Sequence, residues 1–323
     1  VLNCAPKEVF FTSGGSEADN QALISAAALG KKQGKCHIVS TAMEHHAILH
    51  TLEALEAQGF TVTLLRPQAD GIVTATQVAE AITDTTCLIS VMYANNEIGS
   101  ILPIEEIGAV CREKGVLFHT DAVQAAGHLT INVQRDNIDM LSLSAHKFHG
   151  PKGIGLLFAK SNIQLTSLIR GGGQERGKRA GTENLPSIIG LATALKDAQE
   201  HMQQNTAYIT GLRDALRNGL DKIDGAGFNG SREHCLPGTV NYSFQGVNGE
   251  TLLSLLSNEG ICCSSGSACS AGSLEPSHVL LALGLSHETA KSALRFSLCE
   301  YNTMDEVQTI ITKVTEAVNR LRR

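Results

Sequence analysis

Three short stretches carry side chains whose types and positions suit a single chemistry. The first, Thr12-Ser-Gly-Gly-Ser-Glu-Ala-Asp-Asn20, follows an apolar run and opens a helix. Backbone N–H groups in such a turn, backed by a helix dipole, form an anion site, to which Ser16 adds a hydroxyl. The same residues read equally as a helix start capped by Ser13 or Ser16. The turn is neither a GxGxxG nor a P-loop, which disfavours dinucleotides and nucleoside triphosphates. The second stretch, His119-Thr-Asp-Ala-Val-Gln124, comes directly after the run Val116–Phe118. A carboxylate at the C-terminal end of a parallel strand lies at the crevice where open α/β sheets bind ligands. Asp121 is thus placed to hold a ring cation and Gln124 to reach a neighbouring ligand oxygen; a helix N-cap is the alternative for Asp121. The third stretch, Ser142 to Gly153, ends another strand. Its Lys147, followed by a turn of Gly150 and Pro151, is placed as an amine that condenses with an aldehyde; a solvated lysine is the alternative. An anion cradle, an acid for a ring nitrogen and an amine for a carbonyl are together what pyridoxal 5′-phosphate requires.

These stretches need a sheet whose strand ends meet. Apolar, β-rich runs lie at Glu8–Thr12, His37–Thr41, Thr61–Leu65, Cys87–Tyr93, Val116–Thr120, Met140–Ser144 and Gly155–Ala159. Between them come amphipathic segments at Glu17–Leu29, Ile48–Gln58, Val78–Ile82 and Ile104–Lys114. Near-continuous hydrophobic strands separated by helices predict a mostly parallel, seven-stranded sheet sandwiched by helices. Pro186–Leu220 predicts one long helix, or two close ones, hinging two lobes. The remainder mixes strands Thr239–Phe244 and Ala293–Ser297 with helices Glu250–Asn258 and Asp305–Leu321. The expected fold is α/β, with a large domain over residues 1–200 and a smaller α+β C-terminal domain over 201–323.

Composition narrows the function. Of 323 residues 42% are hydrophobic, which supplies a real core and excludes a disordered chain. A net charge of −6 and the absence of Trp argue against nucleic acid or an anionic membrane as the partner. No apolar run reaches the roughly 18–20 residues that a bilayer crossing needs. The cysteines number nine, without CxxC spacing or a zinc pattern. Cys4, Cys36, Cys87, Cys111 and Cys299 are expected as buried, inert thiols. Free thiols point to a reducing, cytoplasmic compartment.

Dense motifs carry the reading across nearly the whole chain: TSGGSEADN, MEHHAIL, NNEIG, HTDAVQ, SAHKFHGPKG, GGGQERGKRAGTEN, SSGSACSAGSLEPSHVL and LRFSL. With these the sequence resembles the NifS/IscS-type cysteine desulfurases, in the aspartate-aminotransferase-like group of pyridoxal-phosphate enzymes. The resemblance implies that Lys147 holds the cofactor as a Schiff base and that Asp121 pairs with the pyridinium nitrogen. It implies phosphate binding by Gly15, Ser16, Ser144 and His146, contacts near the ring hydroxyl from Asn96 and Gln124, and stacking of His45 on the ring. Packing of helix against sheet, with Glu44 as cap, is the alternative for His45. Thr182 would reach the phosphate of a neighbouring subunit in a homodimer. Arg295 would clamp the substrate carboxylate, a task suited to a planar bidentate donor. A Leu-Asp-Asn-Ala-Thr-type segment that precedes the matching region in the family has no counterpart here, so part of the substrate entrance is expected to be missing.

From Ser264 to Ser273 almost every side chain is small, which predicts a mobile surface loop with Cys269 in its middle. A thiolate on a movable arm can take up sulfur and carry it away. The resemblance puts the persulfide on Cys269 and implies conversion of L-cysteine to L-alanine. The sulfur would pass to an iron–sulfur scaffold or a sulfur-carrier protein, with Cys269 also a transient iron–sulfur ligand. Cys262 and Cys263 read as packing residues, with assistance to the sulfur transfer as the alternative. A selenocysteine lyase of the same architecture is one alternative, and an aminotransferase, which gives Cys269 no role, is another.

Overall fold

The computed structural model describes residues 1–266 and 275–323, so the expectations for Cys269 lie outside the described residues. The chain forms two compact units. The larger comprises Val1–Arg66, Val73–Ala94 and Leu102–Met202, and the smaller comprises Pro67–Ile72, Asn95–Ile101 and Gln203–Arg323.

Through the larger unit strands and helices alternate: β1 (Val9–Thr12), α1 (Gly15–Lys32), β2 (His37–Thr41), α2 (His46–Glu56), β3 (Thr61–Leu65), α3 (Ala75–Ala81) and β4 (Thr86–Ser90). After them come α4 (Ile104–Lys114), β5 (Leu117–Asp121), β6 (Met140–Ser144), β7 (Gly155–Ala159) and a one-turn α5 (Gln174–Gly177). The helix α6 (Leu185–Leu220) follows, and the division between units falls within it. The seven strands form one sheet in the order β1-β7-β6-β5-β4-β2-β3. All pairings from β3 across to β6 are parallel, and β7 is antiparallel to both β6 and β1. Since β1 and β6 both oppose β7, they run the same way. The C-terminal ends of β1, β4, β5 and β6 therefore share one edge of the sheet, where such folds bind ligands.

Every residue of β2, β4, β6 and β7 is buried, as strands covered on both faces must be. The stripe Ala18, Ala22, Leu23, Ala26 and Ala27 lets α1 lie close on the sheet, against Ile38, Leu88, Met140 and Leu157. The apolar run expected to be a strand to Tyr93 pairs regularly only to Ser90. Beyond it Val91 and Tyr93 still donate to β5 at His119 and Asp121, while the N–H of Met92 turns to Glu44.

The smaller unit has a three-stranded antiparallel sheet, ordered β10-β9-β8, built from β8 (Ala226–Phe228), β9 (Thr239–Phe244) and β10 (Ala293–Ser297). Helices α7 (Gly249–Asn258), α8 (His278–Ala282), α9 (His287–Lys291) and α10 (Met304–Leu321) complete it. A capping box of Thr303 and Glu306 starts α10. One face of α10, Val307, Val314 and Val318, packs with Tyr242, Phe244, Leu252, Leu256, Leu294 and Phe296.

Four thiols are less buried than expected, Cys4 and Cys299 being half-buried. Cys36 is exposed, in the turn between α1 and β2, and Cys262 is exposed while its neighbour Cys263 packs on the core. Cys87 and Cys111 are buried, and burial pushes their thiols up to about 11 and about 12.

Candidate active site

Register sets the site. Gly155 on β7 pairs with Thr12 on one side and Ser144 on the other, and Asp121 pairs with Ser142. The turn after β1, the end of β5 and the end of β6 thus meet at one edge. In the first, Gly14 caps α1 without a side-chain bond, so neither Ser13 nor Ser16 is the cap. A Cβ on Gly15 would lie 2.7 Å from Cγ2 of Val123 and 3.6 Å from Cβ of Ser144. Only glycine lets the N-terminus of α1 come this close to the loops after β5 and β6. Ser16 is exposed in the first turn of an 18-residue helix, where the N–H groups lack intrahelical partners as a rule.

Asp121 is buried, and its Oδ1 accepts from the N–H of Val123 at 2.9 Å. Burial pushes its carboxyl up to about 6, while the Val123 hydrogen bond and the charge of Lys147 pull the other way. No helix follows Asp121, so it is not a helix cap: its bond to Val123 opens the turn that comes after β5. Gln124 is half-buried in the turn that follows. At the end of β6 the buried Ser144 shares a 2.9 Å hydrogen bond with Nδ1 of His146. Burial first, then Lys147 and Lys152, hold the His146 imidazole below its usual range. Lys147 lies exposed on the tight turn Ala145–Phe148, which closes through His149 at φ 62° and a bond from the N–H of Gly150 to the carbonyl of Ala145.

His45 caps α2, its Nδ1 accepting from the N–H of Ala47 at 3.1 Å. Glu44 is not that cap: it is buried, and its Oε1 accepts from Thr41 and from the N–H of Met92. With Ser16, Asn20, His46 and His50, His45 lines a groove of about 420 Å³. Thr182 is exposed beside a cavity of about 140 Å³ that Ser13, Glu175 and Arg179 also line. Arg179 ties this loop to α1 through its ion pair with Glu17 at 2.9 Å, and Glu17 also accepts from the N–H of Ser13.

In the smaller unit Nη1 of Arg295, on β10, donates to the carbonyl of Asn96 at 2.9 Å. The turn holding Asn96 is built by Oδ1 of Asn95, which accepts from Glu97 and Ile98, and by Asn241, which donates to the carbonyl of Glu97. Arg295 also pairs through its backbone with Ser264, and Ser277 donates to Glu97 at 2.5 Å. Sequence reasoning missed three buried polar groups of the larger unit, Asp19, Glu44 and His119. The available signal was an acidic residue among the alanines of the buried face of α1.

A helix-covered parallel sheet with a glycine turn, an acid and a lysine at its carboxyl edge has the plan of a pyridoxal-phosphate enzyme of fold type I. The chain belongs to the aminotransferase class-V family, whose family model matches residues 1–310. It is 50% identical to the cysteine desulfurase IscS of Clostridium botulinum over 325 residues, covering 100% of this chain and 82% of that protein. Among solved structures it is similar to a NifS-like protein, with a TM-score of 0.92 and 37% identity over 99% of this chain and 85% of that one. It is also similar to SspA in complex with cysteine, with a TM-score of 0.79 and 41% identity over 94% and 84% of the two chains. Pyridoxal 5′-phosphate is the cofactor of this family. The residues present fit it: a buried carboxyl for the ring nitrogen, the N-terminus of α1 held by Gly15 against the loops after β5 and β6 for the phosphate, and Lys147 for the carbonyl. Among the described residues no three metal-ligating side chains cluster, and no helix is long and apolar enough to cross a membrane.

Proposed function

We propose that this chain is a pyridoxal-phosphate-dependent cysteine desulfurase, which converts L-cysteine to L-alanine and leaves the sulfur as a persulfide on Cys269. The observation that carries the reading is the meeting of the Gly15 turn, Asp121 and the Lys147 turn at one sheet edge. When bound, the cofactor supplies an electron sink for negative charge at the substrate Cα. Gly15, Ser16, Ser144 and His146 hold the phosphate, and Gln124 and Asn96 serve the ring hydroxyl. His45 covers the ring face. Asp121, as an anion, keeps a proton on the ring nitrogen, because an opposite charge within hydrogen-bond reach favours the charged form. Lys147 anchors the cofactor and then moves a proton at the substrate Cα. Arg295 clamps the substrate carboxylate. The Cys269 thiolate forms a bond to the substrate sulfur while the Cβ–S bond breaks; that electron pair and the protons taken up by the carbon skeleton complete alanine.

The same proposal includes a homodimer in which Thr182 reaches the neighbour's phosphate. It also includes a scaffold or carrier protein that receives the sulfur, with Cys269 as a transient iron–sulfur ligand there. The free described cysteines support a reducing, cytoplasmic setting. Borohydride treatment of the coloured protein followed by peptide mapping should place a pyridoxyl group on Lys147. Cys269→Ala should abolish alanine formation from cysteine; undiminished turnover refutes the covalent role, and turnover of selenocysteine alone supports the lyase instead.

A further inference from the structure

Asp19 lies on the buried face of α1, which also carries the polar Gln21 and Ser25 among its alanines. Its carboxyl is buried completely, and Oδ1 lies 3.7 Å from Nε2 of His119 with no hydrogen-bond partner. His119 is itself buried on β5, its Nδ1 bonded to Oγ of Ser90 at 2.9 Å and its Nε2 to Oγ of Ser142 at 3.0 Å. Residues two apart on a strand face the same way, so His119 and Asp121 point to the same side of the sheet. A polar seam therefore runs from Ser90 through His119, Ser142 and Asp19 on the side toward which Asp121 points.

The charges facing Asp19 set its state. From β5 come Asp121 and His119, from the segment after β2 comes Glu44, and from β6 comes the hydroxyl of Ser142. None of these is a cation: burial pushes the His119 imidazole down to about 3 and the Glu44 carboxyl up to about 8. Burial and then the neighbouring Asp121 raise the Asp19 carboxyl well above its ordinary value. Asp121 differs from both companions, since the charge of Lys147 acts on it.

We propose that Asp19 is a positioning residue for Asp121: it stays a neutral carboxylic acid, leaving Asp121 as the one carboxylate of the seam that ionises toward the cofactor's ring nitrogen. Were Asp19 an anion, the proton of the pair would sit on Asp121. Asp121 would then present an O–H donor where an acceptor is needed. The proposal rests on the cofactor reading given above for its purpose, while the protonation of Asp19 is a property of the apoprotein.

Apoprotein unfolding measured by denaturant from pH 5 to pH 8 tests it in wild type and Asp19→Asn. Each extra proton held by the folded state raises the unfolding equilibrium constant tenfold per pH unit, so with Glu44 still contributing the asparagine variant should fall short of the wild-type slope by the one proton of Asp19. Equal slopes overturn the proposal. If Asp19→Asn does not fold, infrared spectra of the wild-type apoprotein with 13C-labelled aspartate decide. A protonated aspartate carbonyl band at pH 7 is expected, and its absence overturns the proposal. In the holoenzyme Asp19→Asn should keep cofactor affinity within about threefold, whereas Asp19→Glu, which crowds the seam, should shift the pH midpoint of the cofactor's visible band. A loss of affinity of about tenfold or more in a folded Asp19→Asn variant also overturns it. Borohydride mapping to Lys147 separately reports whether the cofactor reading itself holds.

Discussion

Replacing Asp121 by Asn should make the apoprotein more stable and cofactor binding weaker. Asp121 is buried and its carboxyl rises from the ordinary 3.8 to about 6. A carboxyl whose folded value is raised adds stability that is fully present below the unfolded value and is lost as pH rises through the folded one. At about 1.4 kcal/mol per pH unit, the rise from 3.8 to about 6 costs the apoprotein about 3 kcal/mol at neutral pH. Asparagine removes that cost while its amide oxygen still accepts from the N–H of Val123, the bond that shapes the turn. Urea unfolding of both apoproteins at pH 7.5 should therefore show the variant ahead by about 3 kcal/mol, and at pH 4 by about 0.5 kcal/mol. Titration with pyridoxal 5′-phosphate should show the reverse order, since the amide cannot offset the pyridinium charge. The reasoning fails if the stability gain is the same at both pH values, or if the variant binds cofactor as well as the wild type does.

Two other substitutions test the remaining parts of the site. Gly15→Ala would set a methyl 2.7 Å from Val123, an overpacking worth about 1–3 kcal/mol, so the apoprotein should lose about that much stability in urea unfolding. Arg295→Lys exchanges a planar fork for a point charge and gives up the bond to the Asn96 carbonyl. Loss of charged hydrogen bonds at about 1.5–3 kcal/mol each should raise KM for cysteine more than tenfold in steady-state kinetics, with kcat changed less.

Much of this arrangement can be read from the residues alone, for identifiable reasons. The spans His37–Thr41, Thr61–Leu65, Met140–Ser144, Gly155–Ala159, Thr239–Phe244 and Ala293–Ser297 recur in the structure with the same bounds. Each is a short apolar or β-branched run with polar or turn residues beside it, and tertiary contacts leave such runs little freedom. The strand Ala226–Phe228 escapes because three residues around a glycine show no period. Helices α8 and α9, five residues each, are shorter than the pattern needs. In α5 the left-handed residues Glu175 and Arg176 are held by distant partners: Glu175 accepts from the N–H of Phe11, and Arg176 bonds to the carbonyl of Val9 and lies over the ring of Phe10. No local rule anticipates that turn. Asp121 and Lys147 are legible because a strand end is recognisable in one dimension. Asp19 is not, because its partners on β5 and β6 lie a hundred residues or more downstream.

The smaller unit is organised around the same short turn from two directions. Residues 95–101 belong with it because Asn241 holds the Glu97 carbonyl, Arg295 holds the Asn96 carbonyl, and Ser100 pairs with Cys235. The chain approaching Cys269 is fastened at Ser264, whose backbone pairs with Arg295, and the chain beyond it is fastened at Ser277, whose hydroxyl donates to Glu97. Both fastenings thus lead back to neighbouring residues of one turn, Asn96 and Glu97. Under the proposed reading Arg295 does two separable things. Its guanidinium meets the substrate carboxylate, and its peptide group anchors one end of the segment that supplies the sulfur acceptor. A side-chain substitution leaves the backbone pairing to Ser264 intact. Arg295→Lys should therefore weaken substrate binding without loosening that anchor, which is why its effect belongs in KM.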